Sequence, residues 1–327
     1  MPRLRPAVLI PFLALLALLC LAAALLMGSV EFDFGEIISA LLGEGEPLTR
    51  TVILELRLPR ALAAFTTGGL LALAGCLMQV LLRNPLADPY ILGISSGAAV
   101  CALAVMALGL GGIWLDAGAF GGATAVTLLV FALAHGPGGW TPTRLLLTGV
   151  VIASGLTALM SLILALSPEG QLRGMMFWLM GDLSMAKSGV KNIPVLVLGV
   201  AMGMIFARHL NVLSRGELPA EALGLSVKSA RIGIYLGSSL ITALAVTTAG
   251  SIGFIGLVVP HLVRLVAGPD HRIVIPGSVL LGGALLTFAD LLARTLVAPI
   301  QLPVGALTAL IGVPLFLLLL GRQRQIV

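Results

Sequence analysis

Residues 62–82 read LAAFTTGGLLALAGCLMQVLL and decide the fold class of this chain. A membrane-spanning helix needs about 20 mostly apolar residues. This stretch is that long and contains no Asp, Glu, Lys or Arg. Its glycines allow close contact between helix backbones, which is how helices associate in lipid. The stretch therefore predicts a transmembrane helix inside an all-α polytopic membrane protein.

The composition of the 327 residues extends this prediction to the whole chain. Hydrophobic residues make up 59% and charged residues 10%, where a soluble domain carries about 25% charged residues. The mean hydropathy of +1.12 excludes a soluble enzyme, a disordered regulator and a nucleic-acid-binding domain. Cys20, Cys76 and Cys101 all lie in apolar runs, so we expect small core residues and neither a metal site nor a disulfide.

About ten apolar runs are candidate spans, with each boundary set to within several residues, and we treat residues 1–327 as a single transmembrane domain. The runs are Ala7–Met27, Leu62–Leu82, Ile91–Leu110, Phe120–Ala134, Leu145–Leu166, Ile193–Arg208, Ile232–Thr248, Ile252–Ala267, Ile273–Leu292 and Pro303–Leu320.

The distribution of basic residues predicts the orientation. Ten spans with both termini in the cytoplasm place most Lys and Arg residues inside, as the positive-inside rule requires. The inner residues are Arg3, Arg5, Arg83, Arg144, Arg208, Arg215, Lys228, Arg231, Arg264, Arg272, Arg322 and Arg324; the outer ones are Arg50, Arg57, Arg60, Arg173, Lys187, Lys191 and Arg294.

Several kinds of chemistry are missing from the sequence. There is no GxxxxGK[ST] nucleotide loop and no HExxH metal motif. Ion-coupled transporters place ionisable groups at mid-membrane, whereas these spans are almost uncharged. Asp290 is the exception, and Arg294 four residues later favours a structural ion pair over a proton relay. His261, alone within its span, favours packing over a ligand role.

Two long polar segments connect predicted spans, one on the outer side and one on the inner side. The outer segment 29–59 is long enough to form a short surface helix. Arg57 and Arg60 are three residues apart at the start of the second span, so we expect them to project from one face of the helix start. Exposed arginines there could bind lipid headgroups or an acidic partner. The inner segment 209–231 has Pro219 and Gly224 at the spacing of a short helix. That helix could hold a soluble partner or be an ordinary connection.

Long strings in the chain resemble one known family. They are LRLPR from Leu56, GGLLALAGCLMQVLLRNPLADPYILGISSGA from Gly68, RLLLTGV from Arg144, EALGL from Glu221, GFIGLVVPHLVRLVAGPDHR from Gly253, ADLLAR from Ala289 and LPVGALTALIGVPLF from Leu302. Together they resemble the permease subunits of the iron-siderophore, haem and vitamin B12 importers, the FecCD/BtuC family of type II ABC importers.

The resemblance implies a set of partners. Such permeases have ten spans per chain, form a homodimer or pseudo-dimer, and work with two ATPase subunits and a periplasmic or lipid-anchored solute-binding protein. ATP and Mg would be bound by the ATPase subunits, and this chain would hold no cofactor. By resemblance, Glu221, Ala222, Leu223 and Gly224 form the coupling helix that docks in the ATPase.

The resemblance also assigns the two ends of the solute path. It implies that Arg57, Arg60 and Arg294 receive carboxylates of the binding protein, for which Lys is a poor substitute because Arg offers a planar fork. It implies a cytoplasmic gate that includes Asn84, Leu86, Thr141 and Thr143.

The expected function is import of a metal chelate across the bacterial inner membrane, energised by partner ATPases. A ferric siderophore is the first expectation, with cobalamin and haem as alternatives. An ion-coupled secondary transporter is the alternative class, followed by a membrane-embedded enzyme.

Overall fold

A computed structural model describes residues 5–28, 30, 32–135, 140–184, 186 and 189–323. Within these ranges every regular element is helical. Arg3, Lys187 and Arg324, which contribute to the predicted orientation, lie outside the described residues.

The helices follow one another along the chain with short connections. Their bounds are α1 Pro6–Leu26, α2 Phe34–Leu41, α3 Pro47–Arg50, α4 Leu58–Leu81, α5 Ile94–Ala107, α6 Ile113–Leu133, α7 Pro142–Leu166, α8 Glu169–Leu179, α9 Ile193–Ile205, α10 Ala207–Leu213, α11 Glu217–Ala222, α12 Val227–Ala249, α13 Ile255–Ala267, α14 His271–Thr295 and α15 Val304–Gln323. A π-helical stretch, Thr51–Arg57, joins α3 to α4.

Each of the ten predicted spans corresponds to a helix or to a bent pair of helices. By length and composition, six of the described helices can cross a membrane, and a seventh span is the pair α9 and α10, bent by 62°. The three remaining spans contain the shorter apolar helices α5, α13 and α15. The prediction of an all-α protein with about ten transmembrane helices is confirmed.

Helix α4, built from the stretch quoted first, lies at the centre of the fold. It packs against α12, α13 and α14. A Cβ atom added at Gly68 would lie 2.2 Å from the carbonyl oxygen of Gly282 on α14, and one at Gly75 would lie 2.0 Å from that of Gly256 on α13. Larger residues cannot occupy these crossings, because the helix backbones touch there.

Helix α7 contrasts with α4 in its surroundings. Only 6% of its most apolar 18-residue stretch is buried inside the protein, against 83% for the corresponding stretch of the segment that contains α4. The exposed surface of α7 carries Ser154, Thr157 and Ser161, whose hydroxyl groups donate to the carbonyl oxygens of Val150, Ala153 and Thr157. The chain as described therefore leaves one long helix largely uncovered, with a hydroxyl-bearing stripe along it.

The segment after α1 forms the predicted surface helix. In α2, the side chains of Asp33 and Glu36 form a capping box, with the Asp33 amide donating to Glu36 Oε2 over 2.8 Å. Ile37 and Ala40 pack against Ile53 in the π-helical stretch. This small apolar cluster holds α2 next to the start of α4.

Candidate functional site

Arg60, at the start of α4, binds a carboxylate on α14. Its Nε donates to both oxygens of Asp290, over 3.0 and 3.1 Å, and its Nη2 donates to Oδ1 over 2.9 Å. Nη1 donates to Gln301 Oε1 over 3.2 Å. Asp290 is 1% exposed, so the carboxylate that joins α4 to α14 is itself shielded from water. Such bidentate pairing is among the strongest arrangements of Arg and carboxylate.

The same carboxylate holds a second arginine. Arg294 Nε lies 3.3 Å from Asp290 Oδ2, one helical turn away on α14, so the predicted ion pair is confirmed. Arg294 Nη2 donates to the carbonyl oxygen of Ala24 near the end of α1 over 3.2 Å. One Asp therefore gathers two arginines from two helices.

Arg57 binds backbone at the carboxyl end of α1. Its Nη1 donates to the carbonyl oxygens of Leu25 and Leu26 over 2.6 and 3.1 Å, and Nη2 donates to that of Val30. The side chain is 6% exposed and its guanidinium lies 5.1 Å from the centre of the Phe32 ring. Arg57 thus caps the carboxyl end of α1, where a cation is favoured by the helix dipole.

The expectation that Arg57 and Arg60 share an exposed face is wrong. The chain passes from a π-helical to an α-helical turn between them, and one side chain reaches α1 while the other reaches α14. Arg60 and Arg294 keep 14% and 11% exposure. We call Arg57, Arg60, Asp290 and Arg294 the arginine cluster. It holds three cations and one anion, so it retains a positive excess that could attract a carboxylate.

The other end of α4 borders a polar cleft. The cleft has a volume of about 750 Å³ and is lined by Arg83, Trp140, Thr141, Thr143, Glu217 and Arg231, among others. Thr141 also begins α7, its hydroxyl accepting from the Arg144 amide over 3.2 Å. Two of the four predicted gate residues therefore face one cavity, together with charged residues from α11 and α12.

The other two predicted gate residues lie in the turn that follows Arg83. Asn84 is exposed, and its Oδ1 accepts from the Leu86 amide over 2.9 Å, an Asx turn that fixes the chain between them. Leu86 is half-buried. Neither residue belongs to the lining of the cleft, so their role as gate residues stays a prediction.

The short helix predicted between Pro219 and Gly224 is present as α11. The Leu225 amide donates to the carbonyl oxygen of Ala220 over 3.0 Å, and the Gly224 amide to that of Glu221 over 2.8 Å. With Gly224 at φ +77° this is a Schellman ending, which favours glycine at that position. Ala222 ends the helix, and Leu223 and Gly224 follow it.

Helix α11 presents apolar side chains outward. Ala220 is fully buried in the core, whereas Leu223 and Leu218 are 73% and 81% exposed. Leu223 was predicted as an apolar contact residue. Leu218 was missed, although a leucine before proline in an otherwise polar segment is a usable signal.

Charged groups fix α11 to two other helices. Glu217 Oε1 lies 3.2 Å from Arg83 Nη2, next to the end of α4, and the same oxygen accepts from Arg231 Nη2 on α12. The members of these ion pairs come from three separate segments, which spacing alone cannot bring together, so the sequence does not predict them.

A second anchor holds the preceding helix. Asn211 on α10 donates from Nδ2 to Asp270 Oδ1 over 2.8 Å, and its Oδ1 accepts from the His271 amide over 2.9 Å. The hydrogen bond from Asn211 and that from the Arg272 amide hold the pKa of Asp270 below its ordinary value. Segment 209–231 is thus attached to α14 as well as to α4 and α12.

Among the described residues, no three His, Cys, Asp or Glu side chains come together in a way that could hold a metal ion. The three cysteines are free thiols.

Comparison with known proteins identifies the family. The FecCD transport family matches residues 15–322. The chain is 40% identical to the hemin transport system permease protein HmuU of Yersinia pestis, covering 99% of this chain and 98% of that one. It is 44% identical to the cobalamin import system permease protein BtuC of Halobacterium salinarum, covering 86% and 76%.

A solved structure agrees with these relatives. An ABC transporter of the metal-chelate type, in an inward-facing conformation, superposes with a TM-score of 0.87 at 30% identity, over 97% of this chain and all of that one. The resemblance inferred from the sequence is confirmed. This chain belongs to the FecCD transport family and is an ABC transporter permease.

Proposed function

We propose that this permease imports a metal chelate across the bacterial inner membrane, driven by separate ATPase subunits and supplied by a solute-binding protein. The observation that carries the proposal is α11. It is a short, firmly anchored helix with Leu218 and Leu223 exposed beside a polar cleft. An apolar side chain on a rigid helix suits insertion into a groove of a partner protein.

In this proposal α11 and the cleft face the cytoplasm, and both termini lie on the same side. Glu221, Ala222, Leu223 and Gly224 contact the ATPase, with Leu218 as an additional contact. ATP and Mg bind to the ATPase subunits, so this chain contributes movement and no catalysis. Arg83, Arg231 and Arg215 lie at this end, in agreement with the preference for basic residues inside.

The arginine cluster is the proposed docking surface for the binding protein. Arg60 and Arg294 retain exposure and could accept a partner carboxylate in addition to Asp290 or in its place. Arg57 contributes through its cap on α1, which holds the neighbouring backbone in position. Docking by Arg57 itself would require it to release three carbonyl oxygens of α1 and of the residues after it.

The solute path in this proposal runs between two permease chains. The uncovered surface of α7 supports it, because an apolar helix with a hydroxyl stripe suits contact with a second copy around a polar passage. The stripe of Ser154, Thr157 and Ser161 would line that passage, and Thr141 and Thr143 would lie at its cytoplasmic end. Hydroxyl groups alone bind a large chelate weakly, which favours its passage.

The substrate class follows from the relatives, whose names specify hemin and cobalamin, and from the metal-chelate type of the solved transporter. A ferric siderophore remains the first expectation, with haem and cobalamin as alternatives. The near absence of charge in the spans does not favour an ion-coupled transporter.

Reconstitution tests the proposal. The tagged chain is purified from its host with the ATPase subunits that remain bound, and the complex is placed in liposomes with Mg-ATP and with the solute-binding protein of the same host. Uptake of a ferric hydroxamate, haem or cyanocobalamin should require ATP. Uptake that continues without ATP hydrolysis and stops when the proton gradient is removed would refute the proposal.

A paired variant tests the role of α11. Leu218→Ser with Leu223→Ser should release the ATPase subunits, because two exposed apolar contacts are lost. The matched control is Leu42→Ser with Leu48→Ser, two leucines of similar exposure near α2 at the opposite end of the molecule. Release of the ATPase by both pairs, or by neither, would contradict the assignment.

A further inference from the structure

Arg83 occupies a backbone position that normally favours glycine. The Asn84 amide donates to the carbonyl oxygen of Gln79, and the Arg83 amide to that of Val80, both over 3.2 Å. These bonds form a Schellman ending on α4 with Arg83 at φ +50°. The left-handed conformation is unfavourable for a residue with a Cβ. Backbone strain of this kind persists where the side chain has a use.

The side chain of Arg83 is used in an ion pair with the coupling helix. Its Nη2 lies 3.2 Å from Oε1 of Glu217, the first residue of α11, and that oxygen also accepts from Arg231 Nη2. A single carboxylate oxygen therefore joins the end of α4, the start of α11 and the side of α12. All three charged residues line the cleft that Thr141 and Thr143 also face.

The residue after Arg83 is the first predicted gate residue. Asn84 follows it directly, and its Asx turn fixes the chain as far as Leu86. A displacement of α11 that moves Glu217 must therefore pull on the turn that carries Asn84, as long as the ion pair holds. Ala220 holds α11 to the core, and Glu217 makes the charged contact between α11 and this turn.

We propose that Glu217 is a positioning residue that transmits movement of the ATPase-bound helix α11 to the gate turn through its ion pair with Arg83. Arg231 holds the carboxylate in place from the side of α12. Glu217 and Arg83 are 35% and 43% exposed, so the pair contributes little to stability. Loss of the pair should therefore reduce the coupling between α11 and the gate turn without lowering the stability of the chain. The inference rests on the proposed ATP-driven import.

The test compares Glu217→Gln and Arg83→Gln with the control Glu169→Gln, an exposed carboxylate at the start of α8. The complex is reconstituted in liposomes with Mg-ATP, the solute-binding protein of the host and whichever of the ferric hydroxamate, haem and cyanocobalamin the wild type imports. The two cleft variants should keep their ATPase subunits and melting temperature. Uptake per ATP hydrolysed should fall about fivefold or more, a typical coupling effect between sites.

A conservative variant makes the test specific. Arg83→Lys, which keeps the charge that faces Glu217, should retain at least half of the wild-type uptake per ATP. Normal uptake per ATP in Glu217→Gln, loss of the ATPase subunits, or equal uptake per ATP in Arg83→Lys and Arg83→Gln would each overturn the inference. A wild-type complex without ATP-dependent uptake would instead refute the proposed function, so the two failures are distinguishable.

Discussion

Replacement of Arg57 by Gln should destabilise the isolated permease, because Arg57 caps α1. The guanidinium donates to three carbonyl oxygens, and a hydrogen bond to a charged group contributes about 1.5–3 kcal/mol. The three bonds share one side chain, and Gln can replace one of them. We therefore expect a loss of about 3 kcal/mol in the free energy of unfolding.

The expected shift in melting temperature follows from the size of the chain. One kcal/mol lowers Tm by about 2 °C for large domains, so the variant should melt about 6 °C lower than the wild type. Thermal unfolding of the purified chain in detergent measures this in the absence of any binding protein. Arg50→Gln, an exposed arginine at the end of α3, is the matched control and should leave Tm unchanged.

Two results would refute this reasoning. If Arg57→Gln melts like Arg50→Gln, the cap on α1 contributes nothing to stability. If Arg57→Gln keeps its Tm and loses only the binding protein, Arg57 acts in docking as the family resemblance implies. Arg57→Lys should lie between wild type and Gln, because an ammonium group keeps the charge without the planar fork.

Three further predictions concern other contacts. Asp290→Ala should lower the free energy of unfolding of the chain by about 3–5 kcal/mol, because it removes the buried carboxylate that two largely covered arginines share; Glu169→Gln should not, and equal melting temperatures would contradict the ion-pair assignment. Gly75→Leu should prevent folding, because its side chain would enter the backbone of Gly256; Gly121→Leu, where no atom lies within 4 Å of an added Cβ, should fold, and monodisperse elution of both variants would be the contrary result. The contact of Asp270 with Asn211 should be intact at neutral pH. It should weaken as pH falls below about 4. The pKa of Asp270 is lower in the folded chain than in the unfolded chain, so the contact stabilises the fold at pH values above the unfolded pKa and is lost as Asp270 becomes protonated. The protection factor of the α10 amides, which is the intrinsic exchange rate at each pH divided by the observed rate, should fall over that interval in the wild type and stay constant in Asp270→Asn.

Features encoded locally were predictable from the sequence. Helix α11 depends on Pro219, on Gly224 and on the residues between them, so the local signals are sufficient. The Asp290–Arg294 pair depends on a four-residue spacing within one helix. The spans depend on apolar runs, and their number was predicted for the same reason.

Features that depend on distant segments were not predictable. Arg60 and Asp290 are 230 residues apart, and the sequence contains no signal that α4 and α14 bring them together. The target of Arg57 depends on where α1 ends and on how the π-helical stretch turns the side chain. The same limit applies to Glu217, whose two arginines belong to different helices. Span boundaries were displaced where non-helical residues such as Gly250–Phe254 interrupt an apolar run.

The glycine crossings on α4 restrict how the permease can change shape. At Gly68 and Gly75 the backbone of α4 lies against those of α14 and α13, with no room for a Cβ atom at either crossing. Sliding α4 along its axis by one helical turn would bring Ala64 or Ala72 to the first crossing and Leu71 or Gln79 to the second, and each of these residues carries a Cβ atom. A piston movement of one turn is therefore excluded by sterics. The three helices are expected to move together where they cross.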